Sequence, residues 1–284
     1  MEFETFKNEL GWAENVHSHL VFDFYSKVGE FAAGKVVLDV GAGYQPYLPF
    51  FEKSLYLALE HQESGVIKKN IVDAHIIVAG NDIPLRDNSV DAIFSTSSLE
   101  HFEEPDKFFR ESARVLKPGG GLFIQVPYMY EEHETPFHFQ HFTRFGLHRL
   151  FSINGFDKVQ VLPSSSSMYA AEYLLHVALH DDFPQTDHSG KSGIRLLKGK
   201  VINLRRRGAL AVMQLGLGLV TRGADLPPSE RTRMPIGFLA EGFKSGENIP
   251  SNYSNSDHER FLSENVLESL GYRFQNKRIV SVKD

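Results

Sequence analysis

The 284-residue chain contains no cysteine. Disulfide bonds, thiolate nucleophiles and cysteine-ligated zinc are therefore excluded. The chain also lacks a basic excess, since 30 Lys and Arg stand against 36 Asp and Glu, for a formal net charge of −6. General nucleic-acid binding usually needs a basic surface, so we predict no nucleic-acid partner.

Two further absences concern membranes and targeting. No window of the sequence reaches the roughly 18 uninterrupted apolar residues of a membrane span. The first ten residues, MEFETFKNEL, are acidic and polar, unlike a secretory signal with a basic start and an apolar centre. The sequence therefore predicts a cytoplasmic protein.

The chain does contain a glycine turn directly after an apolar run. Residues 36–47 read VVLDVGAGYQPY, which predicts a buried parallel strand ending near Asp39 and a tight turn at Gly41–Gly43. Glycine lets the backbone approach a ligand closely, because no Cβ stands in the way. Free N–H groups after the turn can face a ligand carboxylate or hydroxyl. This stretch predicts a nucleotide-type site.

A second predicted strand, residues 55–59, ends at Glu60. An acid at this position of a βαβ unit can accept hydrogen bonds from both hydroxyls of a ribose. A dinucleotide site would need the pattern G-x-G-x-x-G, and Pro46 stands where its last glycine belongs. The sequence therefore disfavours a nicotinamide or flavin cofactor.

Strands and helices alternate through the first half of the chain. We predict an N-terminal helix over residues 5–32, a third strand at 76–78, an amphipathic helix at 104–116, and further strands at 91–95 and 122–126. The motif KPGG at 117–120 should stop the helix before the last of these strands. Such alternation predicts an α/β protein whose parallel sheet carries helices on both faces.

Five pieces of this region occur in an order and spacing known from one family. They are LDVGAG, the acid Glu60, IPLRDNSVDAIFS, LEHFEEP and RVLKPGGGLFIQVP, spread over residues 35–163. Together they resemble the class I S-adenosylmethionine-dependent methyltransferases, in particular the group called methyltransferase type 11. The resemblance implies a Rossmann-like, seven-stranded, mostly parallel sheet with a helical insertion before the last strand. It also implies S-adenosyl-L-methionine as the cofactor.

The resemblance assigns the glycine turn to the methionine end of the cofactor. Gly41, Ala42 and Gly43 would face it, and Asp39 would lie beneath them, holding the turn or reaching the amino group. Glu60 would bind the ribose hydroxyls.

The same resemblance places Asp82 and Ile83 beside the adenine and Ser95 near the methionine carboxylate or amino group. Leu99, Glu100 and His101 would line the path from cofactor to acceptor. The chain departs from the family pattern at Gln45, where a small residue is usual. Asp73 is an alternative to Asp82 as the adenine contact.

Residues 128–156 are rich in histidine and aromatic residues and follow the carboxyl end of a strand, where open α/β sheets bind ligands. We expect this segment to bind the methyl acceptor. A hydroxyl or carbon acceptor would need a base, and the candidates for this catalytic role are His101, His133, His138 and His141. The histidine spacing matches no known helical pair and cysteine is absent, so we predict no metal site.

The remaining chain divides by composition. We predict a methyltransferase core at 1–163 and 235–245, a helical insertion or cap at 164–234, and a C-terminal extension at 246–284. The charged residues within 191–222 are all basic. These basic residues suit peripheral contact with an anionic membrane or contact with a phosphorylated acceptor. In the alternative interpretation, the insertion is a cap that packs on the core or on a second subunit of a homodimer.

The predicted function is methyl transfer by in-line displacement to a small-molecule, sugar or lipid-linked acceptor. The alternative is a non-catalytic cofactor-binding or scaffold protein that keeps the fold. A nicotinamide oxidoreductase fits poorly because of Pro46.

Overall fold

The computed structural model describes residues 18–61, 74–78, 82–182, 208, 212, 232–246, 272–275 and 278–281. Its strands are β1 (Val36–Val40), β2 (Leu55–His61), β3 (Ile76–Val78), β4 (Val90–Thr96), β5 (Leu116–Pro127), β6 (Phe156–Pro163) and β7 (Gly237–Lys244). Its helices are α1 (Ser18–Ala32), α2 (Pro105–Val115), α3 (Arg144–Ile153) and α4 (Ser167–Asp182).

The seven strands form one sheet in the order β3-β2-β1-β4-β5-β7-β6. The neighbours from β3 to β5 pair in parallel, whereas β7 runs antiparallel to both β5 and β6. The carboxyl ends of six strands therefore lie at one edge, and β7 enters the sheet from that edge. This mostly parallel α/β sheet confirms the predicted Rossmann-like fold.

Apolar clusters cover both faces of the sheet. On one face, α1 contributes Tyr25 and Val28 to a cluster with Val37 and Phe94 of the sheet. On the other face, α2 and α3 pack against Leu38, Val40, Ile93, Leu122 and Ile124. Because successive residues of a strand point to opposite faces, β1 is buried on both sides and reads as an unbroken apolar run.

Thr143 is of a residue type that commonly caps helices, and helix α3 begins directly after it. The Thr143 hydroxyl accepts a hydrogen bond from the Gly146 backbone N–H at 3.0 Å. Phe142 and Leu147, on either side of this cap, both belong to the core cluster beneath the helix. An apolar residue before the cap and another in the first turn fix the angle at which the chain enters a helix.

Two local predictions need correction. Helix α2 ends at Val115, just before KPGG as predicted, but the strand expected from residue 122 already begins at Leu116, which pairs with Val90. The regular register resumes at Gly121, and Gly119 absorbs the extra residues of this bulge with φ of 77°. Pro46 predicts the start of a short helix over residues 46–53, but the structure has only a 3₁₀ turn there, Leu48–Phe51.

The later predicted elements are confirmed where they are described. The sequence predicts a helix over 168–179 and a terminal hairpin around residues 275 and 276, and the structure has α4 and a hairpin of β8 (Tyr272–Gln275) and β9 (Arg278–Ser281) there. The sequence also predicts helices over 194–221 and 257–270, which lie outside the described residues, apart from 208 and 212. The first part of the helix predicted over 5–32 lies outside them as well. Among the residues described, no helix is both long and apolar enough to cross a membrane.

Candidate functional site

The glycine turn lies at the carboxyl end of β1, as predicted. Gly41 has φ of 74°, and a Cβ at this position would lie 2.1 Å from Ser98 Oγ. The Ser98 hydroxyl, in the loop after β4, hydrogen-bonds to the carbonyls of Gly41 and Thr96. Only glycine fits here, since any side chain would collide with the neighbouring loop.

The turn continues through two more residues with positive φ. Gly43 has φ of 52° and would direct a Cβ into open space, so its backbone is accessible from the sheet edge. Gln45 has φ of 56°, a conformation uncommon for residues with a side chain. Ala42, between the glycines, is buried. A glycine at this position would adopt this conformation without steric cost.

Glu60 lies beside the turn at the end of β2 and is buried. Its Oε2 accepts a hydrogen bond from the Gly43 N–H at 2.8 Å, and its Oε1 accepts one from the His61 N–H at 2.9 Å. A carboxylate has about four lone-pair positions, so two remain for hydroxyl donors. The structure brings Glu60 and the glycine turn together as the sequence predicts.

Asp39 points to the α1 face of the sheet, where Tyr56 donates a hydrogen bond to its Oδ2 at 2.5 Å. Burial raises the pKa of Asp39 to about 7; the Tyr56 hydrogen bond lowers it and the Glu60 carboxylate raises it further. Burial and the Asp39 charge raise the pKa of Tyr56 well above its ordinary value. Asp39 therefore lies beneath the turn, held by a partner that the sequence analysis did not identify.

Ser95 is buried, and its hydroxyl donates to the Val40 carbonyl at 3.0 Å. This bond ties β4 to the last residue of β1. The next hydroxyl, Thr96 Oγ1, is buried and has no hydrogen-bond partner among the described residues. Thr96 was not selected from the sequence, and only its place at the end of β4 could have indicated it.

The loop after β3 is held by helix α2. Ile83 is buried, its N–H donates to Glu111 at 3.0 Å, and its carbonyl accepts from Arg114 at 2.8 Å. Arg114 also donates to the Leu85 carbonyl and to Glu111. Asp82, by contrast, has a 75% exposed side chain and pairs with Lys107 at 2.9 Å.

Arg114 and Glu111 are therefore positioning residues for the loop that carries Ile83. Their pairing lowers the pKa of Glu111 and raises that of Arg114. The sequence analysis assigned them only to an amphipathic helix, because the approach of a distant loop is not visible in helical spacing.

The four candidate histidines form one cluster around Glu100. Ring centroids are 4.9 Å apart for His101 and His133, 4.4 Å for His133 and His138, and 4.7 Å for His138 and His141. Glu100 is fully buried, and its Oε1 lies 3.8 Å from His101 Nε2 and 3.6 Å from His133 Nε2. The loops after β4 and β5 thus meet at the carboxyl edge of the sheet.

The histidines of the cluster differ in the direction in which their pKa values are shifted. Glu100 raises the pKa of His133. Burial lowers the pKa of His138 and His141, and neighbouring imidazoles lower that of His138 further. His138 and His141 are therefore neutral near pH 7, but His138 Nδ1 already accepts the His133 backbone N–H, so its Nε2 carries the proton.

Helix α4 closes one side of this edge. Tyr173 stacks on Tyr130 with ring centroids 5.0 Å apart, and its hydroxyl donates to the Glu131 carboxylate. The carbonyl of Glu100 accepts a hydrogen bond from the Phe139 N–H at 3.0 Å. The histidine-rich segment is thus fixed to both the β4 loop and α4.

The residues predicted to bind the cofactor lie next to the histidine cluster. Ser98 touches the glycine turn, and Glu100, two residues later, is the centre of the cluster. Asp82 points to solvent, and His141 is also exposed. Asp73 lies outside the described residues.

Comparison with known proteins gives a match between residues 38–124 and the methyltransferase domain family. The matched residues run from β1 into β5 and include the glycine turn, Glu60, Ile83 and Glu100.

Curated relatives match the same part of the chain. Phosphoethanolamine N-methyltransferase 1 of Triticum aestivum is 34% identical over 106 residues, which cover 33% of this chain and 21% of that protein. An uncharacterized methyltransferase of Mycobacteroides abscessus is 30% identical over 113 residues, covering 36% of this chain and 44% of that protein. The matches thus span less than half the length of these relatives.

Among solved structures, a SAM-dependent methyltransferase from Aquifex aeolicus is similar with 25% identity and a TM-score of 0.40. The match covers 57% of this chain and 93% of that one. Residues 38–124 are therefore similar to the methyltransferase domain family, and they contain the glycine turn and Glu60 described above.

Proposed function

We propose that this protein transfers a methyl group from S-adenosyl-L-methionine to a small-molecule, sugar or lipid-linked acceptor. The observation that carries the proposal is the arrangement at the ends of β1 and β2. There the buried Glu60 carboxylate bonds to the backbone of a glycine turn that is open to the sheet edge.

The residues present fit S-adenosylmethionine. Gly43 leaves open space where any other residue would place a Cβ. Glu60 retains free lone pairs for two ribose hydroxyls. Ile83 offers a buried apolar surface to an adenine ring. The cofactor supplies a methyl group on a positively charged sulfur, which is already activated for transfer.

The protein's own contribution is alignment and proton removal. Holding the acceptor in line with the sulfur–methyl bond supplies much of the rate. For a hydroxyl acceptor, the histidine cluster takes up the released proton, and His141 suits this role because its lowered pKa leaves it neutral near pH 7. His101 and His133 remain candidates for the same role.

The acceptor reaches the cofactor from the histidine-rich side. Phe137, Phe139 and Phe145 are exposed there and offer apolar surface. Two curated relatives are phosphoethanolamine N-methyltransferases, from Triticum aestivum and Caenorhabditis elegans. A phosphorylated or lipid-linked acceptor would also suit the basic residues within 191–222.

The proposed organisation follows the sequence prediction. Residues 1–163 and 235–245 form the core, 164–234 the insertion and 246–284 an extension of unassigned role. We propose that the protein is cytoplasmic and that the insertion faces the acceptor. The insertion would also either contact a membrane peripherally or form a homodimer. Flotation with anionic vesicles, compared with neutral ones, and the molar mass in solution test these two roles separately.

Cofactor binding is the first test. Isothermal titration with S-adenosylhomocysteine, the demethylated product, should give one site with micromolar affinity. Glu60→Ala should weaken binding by about 1–3 kcal/mol, because ribose hydroxyls and the Gly43 N–H lose a charged acceptor. Glu60→Gln keeps the shape and should lose less.

The matched control is Glu52→Ala, an exposed glutamate close to the same strand. It should leave the affinity unchanged, and all variants should retain cooperative unfolding. Wild-type protein that binds neither S-adenosylmethionine nor its product would refute the proposal.

The second candidate function is a non-catalytic cofactor-binding or scaffold protein. It is favoured by Gln45, which strains the turn where a small residue is usual. Binding of the cofactor without methyl transfer to any acceptor, across panels of amines, hydroxyls and phospholipid headgroups, would support this alternative.

A further inference from the structure

The side chains of Glu100, His101 and His133 converge at the carboxyl edge of the sheet. One ligand atom from each lies within 4.8 Å of the other two. The sequence analysis predicted no metal here, because it considered only spacing along a helix. The two histidines instead come from different loops, after β4 and β5.

Glu100 is the first reason to place a cation in this cluster. Its side chain is 0% exposed, and neither carboxylate oxygen has a hydrogen-bond partner in the described part of the chain. A buried carboxylate without a partner is very costly, and such groups in proteins are paired or coordinate metals.

The tautomers of the two histidines are the second reason. His101 Nδ1 lies 2.9 Å from the Phe137 carbonyl, and His133 Nδ1 lies 3.1 Å from the Glu131 carbonyl. A carbonyl only accepts, so each Nδ1 carries the proton. In the neutral rings, both Nε2 lone pairs then face Glu100, and carbonyl partners of this kind orient metal-binding histidines in proteins.

The distances suit a small divalent ion after a modest contraction. Zinc binds imidazole nitrogen at about 2.0–2.1 Å, so tetrahedral ligand atoms lie about 3.4 Å apart. The Glu100 oxygen is 3.6 Å from His133 Nε2 and 3.8 Å from His101 Nε2. Side-chain movements of less than about 1 Å would close the site.

His138 has a different role in the cluster. Its Nδ1 accepts a hydrogen bond from the His133 backbone N–H at 3.1 Å, so the proton of the neutral ring is on Nε2. That Nε2 is buried and has no acceptor among the described residues. His138 therefore offers a hydrogen-bond donor beside the three ligands and is not itself a ligand through Nε2.

We propose that Glu100, His101 and His133 bind a divalent transition-metal ion, with zinc as the best fit. Two imidazoles and one carboxylate favour such ions over magnesium or calcium, which prefer oxygen ligands. Three protein ligands also leave a coordination position open to an anionic group or a water molecule, to which His138 Nε2–H can donate. This proposal does not depend on methyl transfer.

The test uses the full chain, freed of any polyhistidine tag and stripped with a chelator. Zinc titration by calorimetry should give one equivalent with micromolar or tighter affinity. Co²⁺ should produce the visible absorption of a low-symmetry nitrogen and oxygen site. His101→Ala and His133→Ala should each weaken zinc binding by about tenfold or more, as loss of even a supporting group costs that much.

Two variants separate a binding role from a structural one. Glu100→Gln removes a buried charge that has no hydrogen-bond partner among the described residues, so the metal-free variant should melt no lower than the wild type while binding zinc at least tenfold more weakly. His141→Ala removes an exposed histidine whose nitrogens are outside the ligand group, and should leave zinc affinity within about twofold.

The proposal is overturned if zinc binds at less than one equivalent, or if the Glu100 and His133 variants bind it as the wild type does. Equal weakening by His141→Ala would contradict the choice of ligands. Titration of the metal-free protein with S-adenosylhomocysteine reports separately on the cofactor site, so loss of one proposal leaves the other standing.

Discussion

Asp39 is a carboxylate at the end of β1 that burial keeps partly protonated near neutral pH. Its pKa is about 7 in the folded protein against 3.8 for the free group. Between these two values the folded protein binds more protons than the unfolded chain, so stability falls as the pH rises. Above about 7 both states are ionised, and this contribution stays constant.

We therefore expect Asp39→Asn to stabilise the protein at pH 8 by a few kcal/mol, at about 1.4 kcal/mol per pKa unit, and by little at pH 4. The amide oxygen can still accept from Tyr56. Urea unfolding of both proteins between pH 4 and pH 8 measures the difference. A gain of equal size at both ends of this range would contradict the assigned pKa.

The histidine cluster shows what individual residues cannot reveal in sequence. His101 and His133 are 32 positions apart, and only the parallel sheet brings their loops together. The type of residue suggested acid–base chemistry, and the sequence placed all four histidines near the acceptor. Their shared partner Glu100 was assigned only to the path between cofactor and acceptor, because the burial of a single carboxylate depends on the packing of the whole edge. If His101 and His133 hold a metal, proton uptake falls to His141.

At the scale of elements, helix α2 fixes the loop that carries Ile83. Arg114 bonds to the carbonyls of Ile83 and Leu85 and to Glu111 in one planar network. A lysine has the same charge but cannot reproduce this fork. The loop therefore depends on the guanidinium shape and not on charge alone.

Arg114→Lys should weaken S-adenosylhomocysteine binding by about tenfold, or about 1.4 kcal/mol, because the loop loses its directed hydrogen bonds. Arg110→Lys is the control, since Arg110 lies on the same helix and pairs with Asp106 at its surface. Calorimetric titration of both variants with S-adenosylhomocysteine measures the two affinities. Equal affinities would mean that the Ile83 loop does not contact the cofactor.

Most elements could be predicted because their apolar pattern matches the period of the strand or helix that they form. Strands β1 to β4 and helices α2 and α3 follow this rule. The start of β5 could not be predicted, because KPGG is typical of a helix end and a loop. Only the pairing of Leu116 with Val90 makes this segment part of the sheet. The segment after β1 forms a 3₁₀ turn and not the expected helix, because its proline and aromatic residues at 46–51 favour packing against the core and disfavour a full helix.

At the scale of the whole molecule, one ion pair joins the first described helix to the last strand of the sheet. Lys27 of α1 contacts both carboxylate oxygens of Glu241 in β7, at 2.7 and 2.8 Å. Glu241 is 7% exposed and Lys27 57% exposed. The pair closes a loop of 214 residues along the chain.

Lys27→Met keeps the apolar stem and should destabilise the protein by about 1 kcal/mol, because the exposed lysine is partly screened while Glu241 is left unpaired. Glu241→Gln should cost less, and the double variant should be more stable than the sum of the two single effects predicts. Chemical unfolding of the four proteins measures this coupling. Strict additivity would show that the pair contributes nothing.

The antiparallel strand β7 has a consequence for how this fold can change. Residues 164–234 leave the sheet after β6 and return before β7, both at the ligand edge. Their two ends are joined there, since the Ser164 N–H donates to the Gly237 carbonyl at 2.9 Å and the Ile236 N–H to the Ser165 hydroxyl at 2.9 Å. Loop length adds little to the free energy of closing such a segment. Exchange of this segment between related chains is therefore a route by which a new acceptor could be acquired while the sheet and the cofactor turn stay as they are.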